Sequence, residues 1–247
     1  MLFQERAIIE LETVDSTNNY AAKLLRESIV PDGTVITAQS QTDGRGQRGA
    51  NWDSNFGENL LLSIILYPKQ LISHNQFYLS KAISLAIREF IEMETNQDAF
   101  IKWPNDIIVN NKKIAGILIE TNWQDVRIQS VIAGVGINLN QKSFDHPKAT
   151  SCAIQSKNYH SEKDSLIKVL DLIEKKYIRL LSGSWGELDY EYKNHLYRIG
   201  EETNFKYRGE LIRATIKGVN EGGLLLINTS DGLDIKCDLK EIELIYP

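Results

Sequence analysis

Residues 42–52 read Thr42-Asp43-Gly44-Arg45-Gly46-Gln47-Arg48-Gly49-Ala50-Asn51-Trp52 and hold three glycines, two arginines and one tryptophan. Glycine lets a ligand approach the main chain closely, and the planar guanidinium group of arginine fits a carboxylate or a phosphate. The tryptophan that follows could cover a flat ring. This composition favours a mobile loop that closes over an anionic ligand, although glycine and arginine are also common in solvated surface loops.

The segments on both sides of this loop predict strands of one sheet. Residues 34–38 are rich in β-branched side chains, which are common in strands. Residues 60–66 are nearly all apolar apart from Ser63, a composition typical of a central strand covered on both faces. Asn110 and Asn111 predict a tight hairpin turn, because asparagine tolerates the left-handed conformation. Further strands are expected at residues 7–12, 100–103, 106–109, 113–120 and 126–138.

The rest of the chain predicts helices followed by a small β domain. Ser16 is a good N-cap for a first helix, and further helices are expected at residues 77–91, 161–181 and 185–196. After a linker expected near residues 197–202, short β-rich runs at residues 211–219, 224–228, 233–237 and 242–246 alternate with turns, which predicts a small barrel. We therefore predict an α+β fold: a mixed, mostly antiparallel sheet flanked by helices in residues 1–198, and a small C-terminal β-barrel in residues 199–247.

Composition excludes several classes of function. The 247 residues carry a net charge of −5, so a general affinity for nucleic acid is not expected. The two cysteines, Cys152 and Cys237, are far apart, which disfavours a disulfide framework or a zinc site and fits a reducing cytoplasm. The N-terminus lacks a signal-peptide pattern and no apolar run could span a bilayer. The four histidines are scattered, so no nucleophilic triad is predicted.

Four further motifs carry groups that could bind a ligand. Asp15-Ser16-Thr17-Asn18 places hydroxyls and an amide at a helix N-terminus, where Ser16 could equally be a simple cap. Lys102-Trp103-Pro104-Asn105-Asp106 could present Asp106 to magnesium or to a lysine, or could be an ordinary turn.

The last two motifs lie on predicted strands. Lys113 opens a strand with Gly116 three residues later, and it could face a phosphate or be a solvated hairpin charge. Gly134-Val135-Gly136-Ile137-Asn138 could let a ligand lie against the sheet, or could reflect tight strand packing.

In combination and in this order, these motifs resemble the biotin protein ligase family. The resemblance covers nearly the whole chain, including the C-terminal β domain. It implies a class II synthetase-like catalytic domain that makes biotinyl-5′-AMP and pyrophosphate from biotin and ATP. A lysine of a biotin carboxyl carrier protein or domain then accepts the biotin. A lipoate or octanoate ligase or transferase of the same fold, and a non-catalytic biotin-binding regulator, are the alternatives.

The resemblance also implies roles for individual residues. Catalysis falls to Lys113 and Arg45. Biotin and biotinyl-AMP are expected to contact Ser16, Thr17, Asn18, Gln41, Arg45, Gly46, Gln47, Lys113 and Gly116. The nucleotide is expected to contact Arg48, Trp52, Asn105, Asp106 and Asn138, with Asp106 also a candidate magnesium ligand.

Two features depart from the pattern of many relatives. Many members have an arginine where this chain has Gln47, and we expect Arg45 and Arg48 to supply the missing charge. Some members carry an N-terminal DNA-binding domain, whereas here the first strand is expected within about ten residues of Met1. We therefore expect no role in DNA binding. Homodimerisation through the main sheet, which occurs in relatives, is left open.

Overall fold

The larger of two sheets has seven strands. The computed structural model describes residues 7–245, except for the side chain of Arg48. The strands are β1 Ile8–Val14, β2 Thr34–Gln41, β3 Asn59–Leu66, β4 Ala99–Lys102, β5 Asp106–Val109, β6 Lys112–Gln124 and β7 Arg127–Asn138. Their order is β1-β2-β3-β7-β6-β5-β4. Only β1 and β2 pair in parallel, which confirms the predicted mixed, mostly antiparallel sheet.

The two faces of this sheet are covered differently. The helices are α1 Thr17–Glu27, α2 Phe77–Thr95, α3 Cys152–Ser156, α4 Glu162–Leu181 and α5 Trp185–Asn194. Helices α2, α4 and α5 pack on one face and form the main core with Leu62, Ile64 and Val135. On the other face α1 packs on Ile36 and Ile65. Because α1 spans only 11 residues, it covers only part of that face.

The hairpin between β5 and β6 turns as its sequence predicts. Asn110 and Asn111 both have positive φ, 49° and 61°, the left-handed conformation that a two-residue hairpin of this type requires. The structure also contains elements that were not predicted: the short helix α3, capped by Ser151 on Ile154 N at 3.2 Å, and an extra strand that begins at Glu202.

The second sheet is antiparallel and has five strands. They are β8 Glu202–Tyr207, β9 Glu210–Val219, β10 Leu225–Thr229, β11 Asp234–Cys237 and β12 Ile242–Leu244. The order is β11-β10-β9-β8-β12, so within residues 7–245 the edge strands β11 and β12 each pair with one neighbour and not with each other. Tyr246, predicted to end the last strand, lies outside the described residues. The predicted domain boundary after residue 198 stays a prediction.

Two side chains that pack beside the larger sheet bind backbone carbonyls at the turn between β9 and β10 of the second sheet. Lys81 on α2 is fully buried and donates to the carbonyls of Val219 and Asn220 at 3.2 and 3.3 Å, while its ammonium also pairs with Asp189. Burial lowers the pKa of Lys81 below its usual value, and the hydrogen bond that Lys81 donates to Asp189 opposes that shift. Trp103 Nε1 donates to the carbonyl of Gly223 at 2.9 Å. The turn between β9 and β10 is thus fixed against α2 and Trp103.

None of the helices within residues 7–245 has both the length and the apolar composition needed to cross a lipid bilayer.

Candidate active site

A cavity of about 210 Å³ opens on the sheet face that α1 leaves uncovered. Three parts of the chain surround it: the start of α1 with the end of β2, the loop 42–52, and the strands β5, β6 and β7. The site residues predicted from the sequence that line it are Ser16, Thr17, Asn18, Gln41, Arg45, Gly46, Gln47, Trp52, Asn105, Asp106, Lys113 and Gly116. The structure therefore brings most of the predicted site together.

The floor of the cavity is made of strand glycines. Side chains alternate between the two faces of a strand, so Gly116 on β6 and Gly134 and Gly136 on β7 share the cavity face. A Cβ atom at Gly136 would lie 2.5 Å from Cε2 of Trp52, and one at Gly116 would lie 2.9 Å from Trp52 Cζ3. The indole therefore rests directly on two glycines. A Cβ at Gly134 would lie 2.2 Å from Asn18 Oδ1, so this glycine makes room for Asn18.

The start of α1 forms a polar cluster at one end of the cavity. Thr17 N and Thr17 Oγ1 both donate to Gln41 Oε1, at 2.8 and 3.1 Å. Ser63 Oγ lies 2.7 Å from Thr17 Oγ1 and 2.6 Å from Asn18 Oδ1. Ser16 occupies the N-cap position, but its side chain makes no capping hydrogen bond. The cluster presents uncharged donors and acceptors, a chemistry suited to a neutral polar ring.

Loop 42–52 is folded over the cavity. Gly46 N donates to Ala50 O at 2.6 Å, and Trp52 N donates to Gly44 O at 2.8 Å. These bonds bring Arg45 beside Asn51 in an antiparallel bridge. The loop thus places the Arg45 side chain at the rim of the cavity and the Trp52 indole over the floor glycines. The Arg48 side chain lies outside the described residues, so its expected contact with phosphate stays a prediction.

Lys113 reaches the cavity because of a β-bulge. Ile107 pairs with Ala115 but Ile108 pairs with Lys113, so Ile114 is an extra residue in β6. In a regular strand, residues 113 and 116 would lie on opposite faces, and the bulge brings Lys113 to the face of Gly116. Lys113 Nζ accordingly lies 3.3 Å from an ideal Gly116 Cβ and 5.4 Å from the centroid of the Trp52 ring.

Two buried polar atoms at the cavity have no hydrogen-bond partner among the described residues: Trp52 Nε1 and Asp106 Oδ1. Asp106 Oδ1 does lie 2.7 Å from Lys113 Nζ. That contact is an ion pair, but its alignment is too poor for a hydrogen bond. The oxygen therefore still lacks a hydrogen-bond donor. Because buried polar groups are normally hydrogen-bonded, these two atoms mark positions that a polar ligand would occupy.

The two asparagines that were predicted to contact the nucleotide differ in position. Asn105 lines the cavity, and its Nδ2 donates to Ile117 O at 2.8 Å while Ile117 N donates back to Asn105 O. Its amide is therefore used to hold the 103–106 segment on β6. Asn138 does not line the cavity, and its buried amide donates to Thr150 O at 2.9 Å. Its expected contact with the nucleotide stays a prediction.

Sequence reasoning missed two residues at this site. Ser63 orders Thr17 and Asn18, and the only signal was a polar residue inside an apolar strand. Glu120 lies 2.7 Å from Arg45 Nη2, and a contact across 75 residues leaves no local pattern.

One of the four histidines, His160, has a serine partner in the structure. Ser156 Oγ lies 2.8 Å from His160 Nε2, and His160 Nδ1 lies 2.7 Å from Glu94 Oε2. The serine already donates to Cys152 O, and Glu94 also pairs with Lys168. None of these residues lines the cavity, so the row joins α2, α3 and α4 and is no part of this site.

Residues 10–138, more than half of the chain, match the biotin/lipoate A/B protein ligase family. The chain belongs to this family. The resemblance inferred from the motifs is thereby confirmed, and it identifies the protein as a member of a family of ligase enzymes. All the strands of the larger sheet except the start of β1 lie within the matched range, as do Arg45, Trp52 and Lys113.

Solved and curated members of the family agree with this placement. The biotin protein ligase from Aquifex aeolicus in complex with biotin and ATP is 29% identical, with a TM-score of 0.81 over 98% of this chain and 99% of that chain. The bifunctional ligase/repressor BirA of Bacillus spizizenii is 29% identical over 92% of this chain and 70% of its own length. The biotin–[acetyl-CoA-carboxylase] ligase of Paracoccus denitrificans is 34% identical over 52% of this chain and 53% of its own.

Proposed function

We propose that this protein activates biotin with ATP and transfers it to a lysine of a biotin carboxyl carrier protein. The observation that carries the proposal is the arrangement of the cavity. An uncharged polar cluster at Thr17 and Gln41 adjoins a cationic and aromatic wall formed by Arg45, Lys113 and Trp52. One end suits the ring of biotin, and the other suits an acyl-phosphate and a nucleotide base. The relative from Aquifex aeolicus, crystallised with biotin and ATP, supports the same choice of ligands.

The chemistry requires two anions to meet. In the first step a carboxylate oxygen of biotin attacks the α-phosphorus of ATP, and the bond to pyrophosphate breaks. In the second step the neutral amine of the acceptor lysine attacks the carbonyl carbon, AMP leaves and the amine loses a proton. Carboxylate and triphosphate repel each other, so cations that face both lower the barrier by positioning and charge stabilisation. Lys113 and Arg45 are the cations at the cavity that can do this.

The remaining contacts follow from the same geometry. Ser16, Thr17, Asn18 and Gln41 would hold biotin, with Gly116 lining the pocket beside Trp52 and Lys113. Gly46 and Gln47 would contact the acyl-phosphate, and Arg48 would add charge. Adenine would pack on the face of Trp52 that is turned away from the glycines, near Asn105. Asn138, the last residue of β7, would lie near the adenosine.

Magnesium is proposed only as an ion that binds together with the triphosphate. Among the described residues there is no group of three or more His, Cys, Asp or Glu side chains that could hold a metal ion. Asp106 Oδ1 is buried and lacks a hydrogen-bond donor, and one carboxylate together with phosphate oxygens is a usual magnesium environment. Asp106 therefore fits as a single ligand. When bound, the ion would neutralise charge on the leaving pyrophosphate.

The experiment that tests the function is mass spectrometry of a carrier domain after incubation with this protein, ATP and either biotin or lipoate. We expect the mass of one biotinyl group on the acceptor lysine and no lipoyl adduct. A lipoyl adduct would instead support the lipoate ligase of the same family. Biotin binding without release of pyrophosphate would support a non-catalytic regulator.

Gln47 gives a prediction about retention of the intermediate. Replacing it with arginine should change the release rate of biotinyl-5′-AMP by less than about threefold, because position 47 is only partly buried and a further charge near existing cations contributes little there. The measurement is release of the radiolabelled adenylate after a single turnover, with Gln47→Ala as the control. Release slowed by an order of magnitude in Gln47→Arg would show that Arg45 and Arg48 do not supply the charge.

A further inference from the structure

Glu120 joins the floor of the cavity to the loop above it. It follows Gly116 and Leu118 on the cavity face of β6. Its Oε2 atom accepts a hydrogen bond from Asn18 Nδ2 at 2.8 Å, and its Oε1 atom accepts one from Arg45 Nη2 at 2.7 Å. One carboxylate thus contacts both the polar cluster that we assign to biotin and the loop that covers it.

Arg45 is held at several points besides Glu120. Its Nη1 atom donates to Asn19 Oδ1 at 2.7 Å, and its backbone is bridged to Asn51. Asn19 Nδ2 donates in turn to Asp15 Oδ2 at 2.7 Å. That hydrogen bond, together with one from the Ser16 backbone, lowers the pKa of Asp15. The row of contacts thus favours the ionised form of Asp15.

Glu120 contributes mainly by orienting the Arg45 guanidinium group, and only slightly by the free energy of the ion pair. The Arg45 and Glu120 side chains are 41% and 33% exposed, and ion pairs so exposed stabilise a fold only slightly. However, Arg45 Nη1 also lies 3.5 Å from Glu120 Oε2, so both ends of the fork face the carboxylate. A planar group that is held in this way has its remaining donors fixed in direction.

We propose that Glu120 is a positioning residue that holds Arg45 over the cavity and, through Asn18, couples occupancy of the biotin end to closure of loop 42–52. Glu120 does not itself line the cavity, so it acts through Arg45. The proposal rests on the function proposed above, because the ligand that the loop retains is the acyl-adenylate.

The test is the dissociation rate of a non-hydrolysable sulfamoyl analogue of biotinyl-5′-AMP from Glu120→Gln. Glutamine can still accept from Asn18, but it cannot also offer a second oxygen to Arg45. We expect dissociation to become about tenfold faster, the size expected for one lost charge-assisted hydrogen bond, while affinity for biotin alone changes much less. The matched control is Glu162→Gln, whose carboxylate accepts from Gln39 Nε2 at 3.0 and 2.9 Å outside the cavity.

A second variant separates positioning from a general loss of stability. In an Arg45→Met background, Glu120→Gln should have no further effect on dissociation, and thermal unfolding of each variant reports on the fold. An unchanged or slower dissociation in Glu120→Gln, or an equal effect in Glu162→Gln, would overturn the proposal. If the wild-type protein forms no adenylate from biotin and ATP, the proposed function itself fails, which is a different result.

Discussion

Replacing Lys113 with alanine is expected to lower the rate of adenylate formation by about two to three orders of magnitude, the usual effect of removing one group that stabilises transition-state charge. Lys113 Nζ lies in the cavity, 2.7 Å from Asp106 Oδ1. Without it, the attacking carboxylate and the α-phosphate would meet beside an unpaired aspartate. The measurement is pyrophosphate release with saturating biotin and ATP.

Lys112→Ala is the matched control for this experiment. Lys112 precedes Lys113 on β6, is exposed and does not line the cavity, so its loss should leave pyrophosphate release nearly unchanged. Lys112→Ala should unfold at close to the wild-type temperature, and Lys113→Ala somewhat below it, because its loss leaves the buried Asp106 Oδ1 without its cation. Near-normal pyrophosphate release by Lys113→Ala would remove this residue from the mechanism.

The second large effect is expected from a single added methyl group. In Gly136→Ala the new Cβ would lie 2.5 Å from Trp52 Cε2, so the indole must leave the sheet and the loop cannot seat as it does now. We expect kcat/KM for ATP to fall about 100-fold, because a displacement of about 1 Å near the reacting groups has effects of that size. Binding of biotin alone should change less, since Thr17, Gln41 and Ser63 form their contacts away from Gly136.

Two further variants show whether the effect acts through Trp52. Gly186→Ala is the control, because a Cβ there meets no atom within 4 Å and Gly186 lies in α5, where alanine is tolerated better than glycine. In a Trp52→Ala background, Gly136→Ala should add little to the loss of activity. A full additional loss in that background would mean that the strand itself, and not the indole, is disturbed.

The sequence predicted well those features that depend on local pattern. The asparagine hairpin, the apolar central strand β3 and the glycines of β7 each follow from the conformational preferences of a few neighbouring residues. Loop 42–52 was also predicted as a ligand loop from its own composition. The sequence did not show that its tryptophan rests directly on Gly116 and Gly136, because that contact joins segments distant in the chain.

The features that the sequence missed depend on register or on distant contacts. Lys113 was a candidate, but nothing in its neighbours predicts the bulge at Ile114 that turns it to the cavity face. The links from Ser63 to Asn18 and from Glu120 to Arg45 span 45 and 75 residues. Strand β8 was missed because polar residues alternate with the buried Thr203 and Phe205, which resembles a linker in composition.

The junction between the two sheets constrains how members of this family could exchange parts. Lys81 and Trp103 bind the turn between β9 and β10 only through the carbonyls of Val219, Asn220 and Gly223. Every amino acid supplies a carbonyl, so these hydrogen bonds place no requirement on side chains, but other contacts do: Val219 and Leu225 belong to the main hydrophobic core, and a Cβ at Gly223 would lie 2.6 Å from Phe77 Cδ2. The length of that turn is constrained as well, because a single inserted residue would shift all three acceptor carbonyls at once. The donor segment of a chimera should therefore be chosen first by the length of its β9–β10 turn and only then by sequence identity.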